Sequence, residues 1–171
     1  MGAQISTAIG ADADELAALA ASTFPLACPP SVDPHDVAAF IEAHLSTKRF
    51  VEYLADPRRR VLLVRDEHRI IGYAMLAHPD EASEVELSKF YLLPGQHGTG
   101  VASDLMAAAL TWATDSGAHR IWLGVNRNNE RAQGFYRKNG FAITGTRTFE
   151  LGGAVEQDFI MSRTLESPRE R

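Results

Sequence analysis

The stretch Leu92-Leu93-Pro94-Gly95-Gln96-His97-Gly98-Thr99-Gly100-Val101-Ala102-Ser103 carries the most information in this chain. An apolar strand runs through a glycine-rich turn and straight into a helix. Residues 84 to 93 read as the strand, which Pro94-Gly95 stops. Residues 98 to 116 read as the helix, with Val101, Leu105, Met106, Ala109, Leu110 and Ala113 along a broad buried face. The first amides of such a helix have no intrahelical partner, and the helix dipole makes that end positive. Gly98 and Gly100 leave room for a phosphate to approach the backbone. Two readings fit the stretch alone: a pyrophosphate cradle, or a tight turn that serves packing. Several other chemistries are excluded. The P-loop pattern needs Lys-Ser/Thr where Val101-Ala102 stands, and the dinucleotide pattern G-x-G-x-x-G fails at Ser103. No G-x-S-x-G elbow is present. The histidines His35, His44, His68, His78, His97 and His119 show no ligand spacing, so no metal site is expected.

Outward from this stretch, residues 4 to 9 read as a short strand. Asp12 caps a helix with Leu16, Leu19 and Ala20 at helical spacing, which Pro25, Pro29 and Pro30 are expected to break. Asp33-Pro34 starts a second helix with Val37, Phe40, Ile41 and Leu45 on its buried stripe. Ser46 caps a third, carrying Phe50, Val51 and Leu54, which Asp56-Pro57 ends. Residues 61 to 64 form a wholly apolar run, as in a strand buried on both faces. Residues 70 to 76 return after a hairpin loop. Beyond the glycine-rich turn and its helix, 121 to 125 is another buried strand. A helix then presents Ala132, Phe135 and Tyr136 on one face and ends at Asn139-Gly140. Two strands, 141 to 149 and 155 to 165, turn at Gly152-Gly153. The order β-α-α-α-β-β-β-α-β-α-β-β predicts an α/β fold, one mixed sheet with helices on both faces. Residues 1 to 165 make one domain and 166 to 171 a polar tail.

Composition agrees with one ordinary core. The chain has 171 residues, 45% hydrophobic and 23% charged, with a formal net charge of −5. That acidity disfavours nucleic acid and anionic membranes as partners. Cys28 is the single cysteine, so an intrachain disulfide is impossible. No apolar run approaches the ~18 residues that a spanning helix needs. The N-terminus has no basic segment followed by an apolar run, and a cytoplasmic location is expected.

Two blocks then carry a resemblance. His97-Gly98-Thr99-Gly100-Val101-Ala102 resembles the acyl-CoA signature Q/R-x-x-G-x-G/A of the GNAT superfamily of N-acetyltransferases. Asn129-Glu130-Arg131-Ala132-Gln133-Gly134-Phe135-Tyr136-Arg137-Lys138-Asn139-Gly140-Phe141 is similar to the second block of that family, N-x-x-A-x-x-F-Y-x-x-x-G-F. Their order and separation, with one strand between, match the family as well. The departure is His97, where the family usually has Gln or Arg. The cradle acts through backbone amides, so binding is expected to survive it.

The resemblance implies a mixed, mostly antiparallel sheet with two strands splayed apart at an acyl-CoA site. It implies acetyl-CoA as cofactor, with backbone from Phe90, Tyr91 and Leu92 along the pantetheine arm. One amide there would hold the developing oxyanion. Amides of His97, Gly98, Thr99, Gly100, Val101, Ala102 and Ser103 would hold the pyrophosphate. Asn129 would hydrogen-bond the cofactor arm, and Tyr136 would protonate the departing thiolate.

The attacking amine must first lose a proton. A lysine-like amine is neutral in about one molecule in 2,500 at pH 7, so a nearby carboxylate helps. Glu84, Glu86, Ser88 and Phe90 share one strand face by the period of two, and Glu86 is the candidate base. Glu42, His44 and His78 are rivals. The first helices and the final hairpin are expected to wall the acceptor pocket, with Phe24, Asp33, Glu42 and Glu84 as candidate substrate residues. Their acidity suits a small cationic amine, of aminoglycoside or polyamine type, acetylated directly in a ternary complex. Cys28, flanked by Leu26, Ala27 and Pro29, reads as a buried structural thiol. The alternatives are acetylation of a protein lysine or N-terminus, and a non-catalytic acyl-CoA sensor. Either a monomer or a homodimer fits.

Overall fold

The computed structural model describes residues 2–79, 83–96 and 98–166. Seven strands form one sheet: β1 (Gln4–Thr7), β2 (Arg59–Asp66), β3 (Arg69–Ala77), β4 (Glu84–Leu92), β5 (Arg120–Asn126), β6 (Ala142–Leu151) and β7 (Ala154–Thr164). Their spatial order is β1-β2-β3-β4-β5-β7-β6. Every neighbouring pair is antiparallel except β4–β5. Among the described residues five α-helices connect them: α1 (Ala13–Ala27), α2 (Pro34–His44), α3 (Thr47–Ala55), α4 (Val101–Asp115) and α5 (Glu130–Lys138), with a 3-10 turn at Gly10–Asp12 before α1.

The chain order of elements is the one expected. Asp33 caps α2 by accepting from His35 N at 2.8 Å, and Ser46 caps α3 by accepting from Arg49 N at 3.2 Å. Two boundaries differ. The first helix does not stop at Pro25; it carries that proline in its last turn and ends at Cys28. There Cys28 N donates to Pro25 O, and buried Phe24 anchors the turn. The later helix begins at Val101 rather than 98. Gly95, Gly98 and Gly100 all hold left-handed backbone, with φ of 92°, 79° and 87°, which no helix accommodates.

A core lies on each face of the sheet. Leu105, Met106, Ala109 and Ala113 of α4 pack on Leu62, Val64, Leu76, Val85 and Ile121, with Phe135 of α5 at the margin. On the other face, Leu16, Ala20 and Phe24 of α1 and Phe50 of α3 pack on Leu63, Tyr73 and Met75. Along β2, Val61 and Leu63 face one layer and Leu62 and Val64 the other; β3 alternates likewise from Tyr73 to Leu76, and the register shift opposite Val64 and Arg65 reverses the parity at Ile70 and Ile71.

Candidate active site

β4 and β5 are paired only at Glu84↔Arg120, Val85↔Ile121 and Glu86↔Trp122. Beyond Glu86 they separate, so 87–92 keeps β3 as a neighbour and leaves its other backbone edge unpaired. A cavity of about 540 Å³ opens there. The sheet forms its floor, α5 flanks it, and the end of α1 with α2 covers it.

A bulge sets which side chains reach the cavity. β3 pairs Leu76 with Leu87 and Met75 with Lys89, so Ser88 is an unmatched extra residue. The extra residue inverts the alternation. Glu86 therefore shares a face with Lys89 and Tyr91. Phe90 turns to the opposite face and packs near Phe135 and Tyr136, at 5.5 and 6.4 Å between ring centroids. This corrects the expectation that Glu84, Glu86, Ser88 and Phe90 lie on one face. A strict period of two cannot foresee a bulge.

The two sequence blocks lie at the entry to α4, after β4, and along α5, after β5. Phe90 and Tyr91 line the cavity, and Leu92 follows on the unpaired strand. The glycine-rich turn then enters α4. Thr99 Oγ1 donates to Gln96 O at 2.6 Å and receives a long 3.4 Å bond from Val101 N. Gly100 caps the helix without a side chain. Among the described residues, the amides of Ala102 and Ser103 make no hydrogen bond to protein. A Cβ at Gly98 or Gly100 meets nothing within 4 Å, so their left-handed φ, not crowding by protein, selects glycine. His97 lies outside the described residues.

Asn129 lines the cavity and caps α5, its Oδ1 accepting from Ala132 N at 3.1 Å. Among the described residues its Nδ2 makes no hydrogen bond to protein. Buried Gln133 pins the helix start by donating to Asn126 O and Arg127 O at 3.2 and 3.0 Å. Tyr136 reaches the cavity from α5, its ring held between Phe90, Phe135 and Phe141. Burial, with a smaller contribution from Tyr91, pushes its phenol well above the ordinary value. Burial likewise pushes Tyr91 up to about 12, and Cys28 and Asp158 add to it.

The candidate acceptor residues divide. Phe24 forms part of the wall, stacked on Phe40 at 4.6 Å. Glu86 lines the cavity. Asp33 is occupied as a helix cap, Glu42 is exposed on α2, and Glu84 pairs with Arg120. None of these three lines the cavity. His44 lies tilted against Phe40, with ring centroids 4.6 Å apart, and burial and then Arg49 and Lys89 lower its pKa. Cys28 does line the wall, but burial and Glu156 raise its thiol, which disfavours a nucleophilic thiolate.

Sequence reasoning missed Lys89, Arg147, Glu156 and Asp158, all in the cavity lining. Lys89 shares the Tyr53 ring with Arg59, and burial first, then Arg59, lowers it to about 8. Asp158 is buried beside Arg147, with Nε to Oδ2 at 3.3 Å; burial raises its pKa and Arg147 opposes the rise. Only alternation along residues 154–164 pointed to that face, and it does not distinguish a cavity from solvent.

The comparisons with known proteins agree with this geometry. The acetyltransferase (GNAT) family profile matches residues 18–141. An uncharacterised N-acetyltransferase of Mycobacterium tuberculosis is 60% identical over 154 residues, covering 90% of this chain and 98% of the relative. The phosphinothricin N-acetyltransferase of Streptomyces coelicolor is 31% identical over 93 residues, covering 52% of this chain and 54% of that one. The crystal structure of the PaiA N-acetyltransferase from Thermoplasma acidophilum in complex with coenzyme A superposes with a TM-score of 0.83. It is 21% identical and covers 96% of this chain and 99% of that one. A parted strand pair beside a glycine-rich helix start, in a chain matched over most of its length, makes this protein a member of the GNAT family, an enzyme that uses acetyl-CoA as acetyl donor.

Proposed function

We propose that the protein transfers acetyl directly to the primary amine of a small molecule that enters the cavity as a cation, of aminoglycoside or polyamine type. One observation carries the reading: Glu86 and Tyr136 line a single cavity, one on each side of the unpaired stretch of β4. Acetyl-CoA, when bound, supplies the acetyl group as an activated thioester. The amides of Ala102 and Ser103, with the left-handed turn before them, hold the pyrophosphate. The free edge of 87–92 takes the pantetheine arm. An amide of that edge holds the carbonyl oxygen as negative charge grows on it.

Glu86 accepts the amine's proton, directly or through water, which frees the lone pair for attack. Tyr136 serves the other end of the reaction. Its raised pKa keeps the phenol protonated at every working pH. The same rise makes it a weak acid, so it acts through a hydrogen bond that strengthens as charge develops on sulfur. The raised thiol of Cys28 supports direct attack over an acetyl-cysteine relay. The lining holds four carboxylates, Glu86, Glu150, Glu156 and Asp158, against two cations, Lys89 and Arg147. That balance draws an ammonium ion. The small-molecule acceptor of the Streptomyces relative, phosphinothricin, supports the same size class.

The test is Tyr136→Phe in a thiol-release assay with a panel of amines and lysine peptides, beside CoA binding by calorimetry. Turnover is expected to fall about 10²-fold or more with CoA affinity kept. Equal turnover in the variant removes Tyr136 from the chemistry. CoA binding without turnover on any acceptor favours a sensor, and turnover on peptides alone favours protein acetylation.

A further inference from the structure

Arg147 is the least explained charge in the cavity. It stands on β6 directly opposite Asp158 of β7, and its side chain is 35% exposed. Only Nε is used, donating to Asp158 Oδ2. Among the described residues neither Nη makes a hydrogen bond or an ion pair. The guanidinium crosses β7 and lies on the cavity floor over β5. Its Cζ sits 5.8 Å from the centroid of Trp122. Gly124 makes that course possible, because a Cβ there would collide with the guanidinium. Gly124 pairs with Ile160 of β7 on one side and lies beyond the β4 pairing on the other; a strand interior ordinarily favours a bulky residue, so the glycine marks a close approach.

Asp158 thus fixes the guanidinium through one nitrogen, and the remaining edge is left for a ligand. A guanidinium stays charged at any working pH, and two parallel N–H groups match the two oxygens of a carboxylate. A polyamine or an amino sugar brings only positive charge and leaves that edge unanswered. We propose that the acceptor carries a carboxylate close to its amine, as an amino acid does, and that Arg147 is the residue that binds it. The acidic lining takes the ammonium end and Arg147 the acid end. The inference rests on the small-amine reading above and replaces its polyamine and amino-sugar types with an amino-acid type.

Matched pairs test it: lysine against cadaverine, tyrosine against tyramine, methionine against 3-(methylthio)propylamine. The wild type is expected to favour the acid member by at least about tenfold in kcat/KM. Arg147→Gln is expected to bring that ratio toward one. Arg147→Lys, which keeps charge but loses the fork, should fall between. Gly124→Ala displaces the guanidinium with Arg147 still present and is expected to lower the ratio too. It serves as the second probe should Arg147→Gln, which strands Asp158, fail to fold. Independently of turnover, calorimetry of N-acetyl amino acids with the CoA-loaded protein should show binding that Arg147→Gln weakens at least about tenfold. Decarboxylated amines used as well as the acids overturn the inference and leave the small-amine reading standing. A ratio unmoved in both Arg147→Gln and Gly124→Ala overturns it as well. Absence of both turnover and N-acetyl amino acid binding, with CoA still bound, overturns the two together.

Discussion

Lys89 carries its ammonium on the sheet face that also holds Tyr91 and Glu86, against an aromatic ring and near a second cation. Its pKa in the folded chain is about 8, against 10.5 when free. The sign of the linkage follows from proton counts. Between pH 8 and 10.5 the unfolded chain binds more protons at this position than the folded one, so stability rises with pH across that window. Below pH 8 both forms are protonated and the full cost of burying the charge is present. Tyr73, Tyr91 and Tyr136 oppose the trend only higher up, because burial raises their phenols and the unfolded chain ionises first above about pH 10. Urea unfolding at pH 7 and pH 9.5 measures the effect. The wild type is expected to gain about 1 kcal/mol more than Lys89→Met between the two, after allowing for partial access to water. Identical pH dependence in the two proteins refutes the account. None of this was legible from the residue alone: a lysine five positions into a strand reads as a solvated charge until the bulge at Ser88 turns it toward the helices.

At the scale of elements, the turn before α4 is the decisive piece. Gly100 caps that helix at φ 87°, in open space, so a methyl group there costs torsional strain and nothing else in the free protein. Gly100→Ala is expected to lower stability by about 1 kcal/mol, a Tm shift of roughly 2–4 °C for a chain this long. CoA affinity should fall far more, by about tenfold or greater, since the new Cβ occupies the approach to Ala102 and Ser103. Thermal melts beside CoA titration separate the two effects; equal small losses in both would make the turn a packing device only. Such turn chemistry is readable because glycine spacing reports backbone conformation directly. Helix caps at Asp33 and Ser46 were readable from residue type, because a short polar side chain can accept from the first free amides of a helix; the cap at Asn129 was not foreseen. Pro25 was misleading: its missing N–H predicts a break, but Phe24 is buried in the α1–α3 layer and holds the last turn in place. The start of α4 was set too early because apolar periodicity is silent about three left-handed glycines. Bulges leave no comparable mark, since Ser88 is neither glycine nor proline and its displacement comes from the pairing of β3 with β4.

The whole molecule closes its acceptor side with parts distant in sequence. Phe24 of α1, Phe40 of α2 and Phe149 of β6 form one aromatic run, with ring centroids 4.6 and 5.7 Å apart. Asp36 of α2 reaches the β6–β7 turn, where its carboxylate accepts from Gly153 N at 3.3 Å. Gly152 is needed at that turn, because its φ is 59° and a Cβ would strike the Asp36 carboxyl. The family resemblance carried by the two glycine-bearing blocks implied that the first helices and the last hairpin wall one pocket. The contacts that join them depend on rings and a carboxylate meeting across more than a hundred residues, which no local pattern encodes. Their separation from the cofactor elements has a consequence. In the proposed reading CoA lies against β4, α4 and α5, and the contacts of Asp36 and Phe40 are with α1, β6 and the β6–β7 turn instead. Loosening α2 should therefore degrade acceptor binding and spare the cofactor. Asp36→Ala removes one long charge-assisted bond, worth about 1 kcal/mol, and is expected to raise the acceptor KM roughly fivefold. Phe40→Ala removes two ring contacts and should raise it by at least about tenfold. In both variants the CoA dissociation constant by calorimetry should stay within about twofold. A parallel loss of CoA affinity would instead mean that α2 and the cofactor crevice move as one body, and the cavity would then have to be treated as a single site rather than two that meet at Glu86 and Tyr136.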